Sequence, residues 1–201
     1  MLVIVGEAGV DEAGCGSLMG DLVAAAVILP YGYDTTGLTD SKKISEKKRT
    51  VLGDQIRREA TVGIGKITNR EIDANSFAWA RRAVFQRALD NLSTPPSTIV
   101  VDGTGFFDGY ADIPFVLEPR ADAKYASVAA ASIVAKTERD KDVLQLCDAN
   151  PVWAEAFGWR QNKGYPSKMH MNALQSLGPT SYHRLCFAPC KRNSSSASPC
   201  S

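Results

Sequence analysis

The sequence predicts an α/β fold, and three observations carry that prediction. Aliphatic runs at residues 22–29, 61–67 and 99–101 have the length and β-branched content of strands. Longer stretches with helical character separate several of them, bracketed by capping and breaking residues, and there are more strands than a helical bundle would use. With 201 residues, 44% of them hydrophobic, the chain can bury a full core as a single globular domain.

The opening stretch reads as an aliphatic strand, residues 2–5 and Val10, ending in Asp11-Glu12 and running into Gly14, Cys15 and Gly16. Neighbouring side chains on a strand point to opposite faces, so an Asp-Glu pair serves one site only where the strand ends or bulges. The adjoining glycines permit either. Residues 22–29 form a second buried strand, followed by a turn at Pro30-Tyr31-Gly32-Tyr33 and a loop over 37–40. Asp40 or Ser41 caps a helix to about residue 59, with Ile44, Val51, Leu52 and Ile56 on one face. Residues 61–67 alternate as a third strand. Thr68 or Asn69 starts the next helix, with Glu71 placed for a capping box, and Pro95-Pro96 stops it after about residue 92.

Ile99-Val100-Val101-Asp102-Gly103 repeats the opening design, an aliphatic strand ending in a carboxylate and a glycine, and residues 113–117 make a short fifth strand. Asp122 opens a helix to about Cys147 whose alanines and serines would let it lie close on a sheet. Residues 153–164 read as irregular. Ser167 caps a last helix, which Gly178-Pro179 ends. Residues 1–189 are expected to form one domain, and 190–201 a polar, serine-rich, disordered tail.

The net charge of +1 says little about partners, although Lys42, Lys43, Lys47, Lys48, Arg49, Arg57 and Arg58 crowd one segment. Such a run fits a solvated helix face as well as a nucleic-acid patch. No apolar run approaches the ~20 residues a membrane span needs, and there is no signal-peptide pattern. Five cysteines without CxxC spacing support neither a zinc site nor a disulfide framework, so a reducing, cytoplasmic setting is expected.

Asp11, Glu12, Asp102 and Asp122 each stand at a strand end or helix start beside Gly or Ala. Gathered together they would repel one another unless cations sat among them. All-oxygen ligands suit Mg²⁺ or Mn²⁺ rather than zinc. Each also fits an ordinary role, as helix cap, turn former or solvated side chain, and spacing alone does not make the four converge.

Six segments lie in the order found in one known family. They are Gly-Val-Asp-Glu-Ala-Gly from Gly9, Leu-Thr-Asp-Ser-Lys-Lys-Ile-Ser-Glu-Lys-Lys-Arg from Leu38, Val-Val-Asp-Gly from Val100, the run from Ala121 to Lys136, Asn-Lys-Gly-Tyr from Asn162, and Leu-Gly-Pro-Thr-Ser-Tyr-His-Arg from Leu177. Together they closely resemble ribonuclease HII. The resemblance implies a ribonuclease-H-like mixed five-stranded sheet flanked by helices, with a helical C-terminal part. It assigns Asp11, Glu12, Asp102 and Asp122 as catalytic ligands of two divalent ions, Mg²⁺ or Mn²⁺. It also implies cleavage of the RNA strand of RNA/DNA hybrids, and 5′ to ribonucleotides embedded in duplex DNA, leaving 3′-hydroxyl and 5′-phosphate ends.

By the same resemblance, backbone groups of Gly14, Cys15 and Gly16 read the ribose 2′-hydroxyl, and Tyr165 packs on the sugar at the junction with DNA. Lys42 and Lys43 lie near backbone phosphates, His183 and Arg184 belong to a structural C-terminal motif, and His170 has no assigned role. A monomer is expected, with no membrane association. The chain departs from the family at Cys15, Ser17 and Ala121, where Arg, Pro and Gly are usual. Loss of the Arg puts substrate grip in question, and the alternative reading is a weakly active or inactive nucleic-acid-binding protein on the same scaffold. A strand-transfer enzyme of integrase type would use similar carboxylates, but nothing in the sequence matches its DNA-binding appendages.

Overall fold

The computed structural model describes residues 1–194, with side chains through Lys191. In chain order the elements are β1 (Glu7–Ala13), β2 (Leu22–Ile28), α1 (Glu46–Glu59), β3 (Thr61–Ile67), α2 (Asn69–Asn75), α3 (Phe77–Asp90), β4 (Thr98–Asp102), β5 (Phe115–Glu118), α4 (Ala126–Ala149), α5 (Pro151–Phe157), α6 (Trp159–Asn162), α7 (Lys168–Leu177) and α8 (Ala188–Ser194). They fall into two compact units. The first takes Met1–Ala13, Val23–Lys66 and Arg81–Glu138, and the second takes Gly14–Leu22, Ile67–Ala80 and the chain from Arg139 onward.

The first unit is built on a five-stranded sheet in the order β3-β2-β1-β4-β5. Strand β1 runs antiparallel to β2 and parallel to β4, and β5 is parallel to β4, so the sheet is mixed as expected. Ala126, Ala129 and Ala130 of α4 join Ala25 and Val27 of β2 in one buried cluster. The small residues do what their size allows. A Cβ on Gly9 of β1 would meet the Ser127 carbonyl carbon and the Val128 nitrogen of α4 at 2.2 Å, so the helix backbone lies directly on the strand.

Three expectations for this unit are corrected. The opening strand begins at Glu7, not in the aliphatic run before it; residues 2–5 lie exposed outside the sheet, tethered where the Leu2 N–H donates to the Lys124 carbonyl at 2.8 Å. The strand neither ends nor bulges at Asp11-Glu12, since pairing with β2 continues unbroken through Ala13↔Val23. The helix expected from Asp40 or Ser41 is a short 3-10 turn, Ser41–Lys43, capped by Asp40, and α1 starts afresh on the Ser45 cap.

The second unit packs Phe157, Trp159, Leu174, Cys147 and Cys190 around Met19. Its opening helix α2 carries the expected capping box between Thr68 and Glu71. That helix stops at Asn75, because Ser76 is extended and its hydroxyl accepts from the Trp79 N–H to start α3. Residues 153–164, read as irregular, form α5 and α6 around the left-handed Gly158. The disordered tail placed at 190–201 is corrected at its start: α8 covers Ala188–Ser194 and buries Cys190. The rest of that expectation, residues 195–201, lies outside the described residues. Among the described residues no helix is long and apolar enough to cross a membrane.

Candidate active site

In the first unit the four sequence-predicted carboxylates act on one another. Val10 of β1 pairs with Val101 of β4, and Asp11 and Asp102 occupy the next position on these parallel strands. Their side chains therefore share a face. Asp11 is buried, and the Glu12 N–H donates to its Oδ1 at 2.7 Å. Burial raises its pKa well above the ordinary carboxylate range; the charges of Glu12 and then Asp102 push the same way, and the Ser132 hydroxyl opposes them.

Asp102 is also raised, first by burial. A hydrogen bond from the Ala121 N–H, 2.7 Å from Oδ1, works against this, as does Lys42, while Glu12 adds to it. Asp122 sits in a 3-10 turn, Ala121–Ala123, that starts from Arg120 in the left-handed region at φ 58°. Burial raises it, then Asp102 and Asp40, with Lys42 and Lys43 opposing. The two lysines are thus brought to the carboxylates. Their turn is pinned by Arg49, which donates to the Ser41 carbonyl at 2.7 Å, and by a 3.0 Å hydrogen bond between the Ser132 and Ser41 hydroxyls.

Glu12 points the other way along the strand alternation and meets a residue the sequence did not single out. Arg81 of α3 donates from Nη2 to Glu12 Oε1 at 2.6 Å. Arg81 and Arg82 are adjacent in the sequence, and nothing in their spacing marks one of them.

Among the described residues, no three His, Cys, Asp or Glu side chains close on a point as a ready cage for one ion. The chemistry of the donor set fits divalent ions nonetheless. Every candidate ligand is a hard oxygen, three are raised in pKa by burial and by one another, and a cation relieves that repulsion.

The second unit assembles the other predicted group. Gly14 is left-handed at φ 97°, and a Cβ there would lie 2.4 Å from Arg139 Nε, so only glycine fits. Two arginines that the sequence did not assign to this loop hold it. Arg184 donates to the carbonyls of Gly14 at 2.7 Å and Gly20 at 3.0 Å, and more weakly to Cys15 at 3.4 Å. Arg139 donates to the Ser17 hydroxyl at 2.6 Å and the Lys163 carbonyl at 2.7 Å. Both are almost wholly buried. The Tyr165 ring lies 5.2 Å from the Arg139 guanidinium carbon and close to Gly16, so Gly14, Cys15, Gly16 and Tyr165 come together. Ser17, where the family usually has Pro, is part of this network rather than a gap in it.

In the same unit, His170 Nδ1 lies 3.1 Å from the Tyr165 carbonyl, and His170 faces His183. Their Nε2 atoms are 2.9 Å apart, and both rings pack on Phe157 and Trp159.

The family profile described as Ribonuclease HII matches residues 8–190. Ribonuclease HII of Bacteroides thetaiotaomicron is 42% identical over 182 residues, spanning 90% of this chain and 88% of the relative. Among solved structures, ribonuclease H2 from Pyrococcus horikoshii OT3 superposes with a TM-score of 0.76 at 25% identity, covering 94% of this chain and 97% of that one. Bst-RNase HIII in complex with Mn²⁺ has the same fold, with a TM-score of 0.75 at 19% identity over 97% of this chain and 71% of that one. A sequence match that takes in both units and every segment of the motif series leaves one conclusion, that the chain belongs to the ribonuclease HII family and is a ribonuclease H.

Proposed function

We propose that this ribonuclease H is metal-dependent, that Asp11, Glu12, Asp102 and Asp122 hold two divalent ions, Mg²⁺ or Mn²⁺, and that it cleaves RNA/DNA hybrids and duplex DNA 5′ to embedded ribonucleotides. The observation that carries the reading is the burial of Asp11 among charges of its own sign. A protein keeps such an arrangement at a cost that a bound cation offsets. When bound, the ions would supply a more nucleophilic water and charge stabilisation at the leaving oxygen.

The chain's own residues do the rest. Water adds to phosphorus, the bond to the 3′-oxygen breaks, and a proton on that oxygen completes the 3′-hydroxyl, leaving a 5′-phosphate. Lys42 and Lys43 bring positive charge beside Asp102 and Asp122, suited to the neighbouring phosphates. The Gly14–Gly16 loop has its carbonyls engaged by Arg184, which orients its backbone for the ribose 2′-hydroxyl, the one group separating RNA from DNA. Tyr165 packs on the adjacent sugar. In this reading residues 1–189 act as one catalytic domain, in a monomer.

The test is cleavage of a DNA duplex carrying one ribonucleotide, with Mg²⁺ and with a chelator, by the natural protein and by Asp11→Asn and Asp102→Asn. Each substitution keeps the shape and removes a charge, and each should abolish cleavage with the fold intact. Residual activity within about tenfold of the natural protein, or ~1.4 kcal/mol of barrier, would remove that residue from the metal-binding set.

A further inference from the structure

Arg81 is fixed from several sides. Helix α3 lies so close to β3 that a Cβ on Gly65 would meet the Val84 carbonyl oxygen at 2.2 Å, which leaves the helix no room to slide. From that helix Arg81 reaches Glu12 at 2.6 Å, with the arginine side chain 21% and the glutamate 11% exposed. On its other side the Phe106 ring lies 4.2 Å from the guanidinium carbon. Phe106 holds the left-handed conformation at φ 72°, one that a bulky side chain adopts only when its surroundings fix it. Arg82 shares the same ring at 5.7 Å, but pairs with the exposed Asp108. One of two adjacent arginines is therefore committed to the carboxylate cluster, clamped by an aromatic ring on a strained backbone.

We infer that Arg81 is the internal counter-cation of the metal site: it holds Glu12 in position and competes with a divalent ion for that carboxylate, so it sets how much metal the enzyme requires. This rests on the reading that the four carboxylates hold divalent ions. A guanidinium on Glu12 Oε1 withdraws part of the charge a metal would use, and its own charge repels the incoming ion. The arrangement trades affinity for order, because the carboxylate is already oriented when the ion arrives. Arg81 is thus a positioning residue with a measurable electrostatic signature, and a purely structural arginine would lack that signature.

The experiment is calorimetric titration with Mn²⁺ alone, on the natural protein, Arg81→Gln, Arg81→Lys, Asp11→Asn, Glu12→Gln and the double variant Glu12→Gln/Arg81→Gln. Arg81→Gln should bind Mn²⁺ about three- to tenfold more tightly, as expected for removal of a nearby, partly screened charge. It should also reach half-maximal cleavage at a correspondingly lower Mg²⁺ concentration. Arg81→Lys should stay within about twofold of the natural protein, and in the Glu12→Gln background the Arg81 effect should change by at least about twofold, because the part acting through Glu12 is lost and only direct repulsion remains. If Arg81→Gln does not fold, Arg81→Met keeps the stem against Phe106 and carries the same expectation. Unchanged or weaker Mn²⁺ binding on loss of Arg81 overturns the inference. If instead Mn²⁺ binding to the natural protein is insensitive to Asp11→Asn and Glu12→Gln, the metal-site reading fails first, and the two failures are told apart.

Discussion

The buried histidine pair makes a prediction whose size can be worked from its hydrogen bonds. The Thr180 N–H donates to His183 Nδ1 at 2.9 Å, so that nitrogen carries a lone pair and Nε2 carries the proton. Nε2 then donates to His170 Nε2 at 2.9 Å, which leaves the His170 proton on Nδ1, facing the Tyr165 carbonyl at 3.1 Å. Both rings are neutral in this chain, and a further proton on His183 would set N–H against N–H. Burial, and then the neighbouring His170, push the pKa of His183 down to about 3 from an ordinary 6.5. The unfolded chain therefore binds a proton that the folded one refuses. Stability from this group is fully present above pH 6.5 and falls as the pH drops toward 3. At pH 4.5 the loss is 1.36 × (6.5 − 4.5), or about 2.7 kcal/mol. Asp11, Asp102 and Asp122 are shifted the opposite way and partly mask the fall, so the measurement is a difference. His183→Gln should be less stable by roughly 1–3 kcal/mol at pH 7.5, having lost buried hydrogen bonds. Urea unfolding followed by circular dichroism should show that gap narrowing by about 2.7 kcal/mol at pH 4.5. A gap that stays constant to within about 0.5 kcal/mol across the series would refute the neutral relay.

Tyr165→Ala should reduce cleavage at a single embedded ribonucleotide more than it reduces binding to plain DNA duplex, which is held mainly through phosphates; equal losses in the two assays would leave the tyrosine a packing role only. Cys15→Arg should tighten substrate binding by roughly ten- to a hundredfold and steepen its salt dependence by about one phosphate contact. Ribose preference should not change, because the loop is held through its carbonyls, and an altered preference would show that the side chain shapes the loop. Gly9→Ala should cost well over 3 kcal/mol in a melting experiment, since its Cβ would lie 2.2 Å from the α4 backbone; a mild loss would mean the helix can lift from the strand.

The parts of the fold that were legible are those set by local chemistry. The Thr68–Glu71 capping box, the Ser167 cap and the apolar runs of β2, β3 and β4 all stand where the residues put them. The misreadings share a cause in tertiary context. Residues 2–5 have the composition of a strand, but Gly9 is the residue that fits under α4, so the sheet takes the less aliphatic segment beginning at Glu7. The break at Ser76 has no Gly or Pro to announce it. In the candidate site, a carboxylate at a strand end beside glycine describes Asp102, but Asp11 and Glu12 lie inside β1 and Asp122 in a 3-10 turn, and it was the family resemblance that grouped the four. Arg81, Arg139 and Arg184 were hidden in their site roles because their partners lie 69, 122 and 170 residues away, a separation that no periodicity encodes.

These three arginines share a logic that bears on why the residue type matters. Arg184 must satisfy the carbonyls of Gly14 and Gly20 at once while almost wholly buried, and a lysine ammonium would offer one compact charge on a flexible stem. Burial pulls the Arg184 pKa down to about 10, and still leaves it protonated at neutral pH, a margin that a buried lysine would not keep. The planar fork fixes direction as well as charge. Arg139 uses one nitrogen on Ser17 and another on Lys163, tying the segment before β2 to the one that carries Tyr165. Arg81 places one guanidinium nitrogen on Glu12, with the Phe106 ring 4.2 Å from its guanidinium carbon. The three grip backbone carbonyls at Gly14 and Gly20, the Ser17 hydroxyl and Lys163 carbonyl, and one oxygen of the Glu12 carboxylate. Cys15 then need not mark a failed site. The arginine that resemblance to the family leads one to expect at residue 15 is absent, while the groups that hold the loop, Arg139 and Arg184, sit elsewhere in the chain.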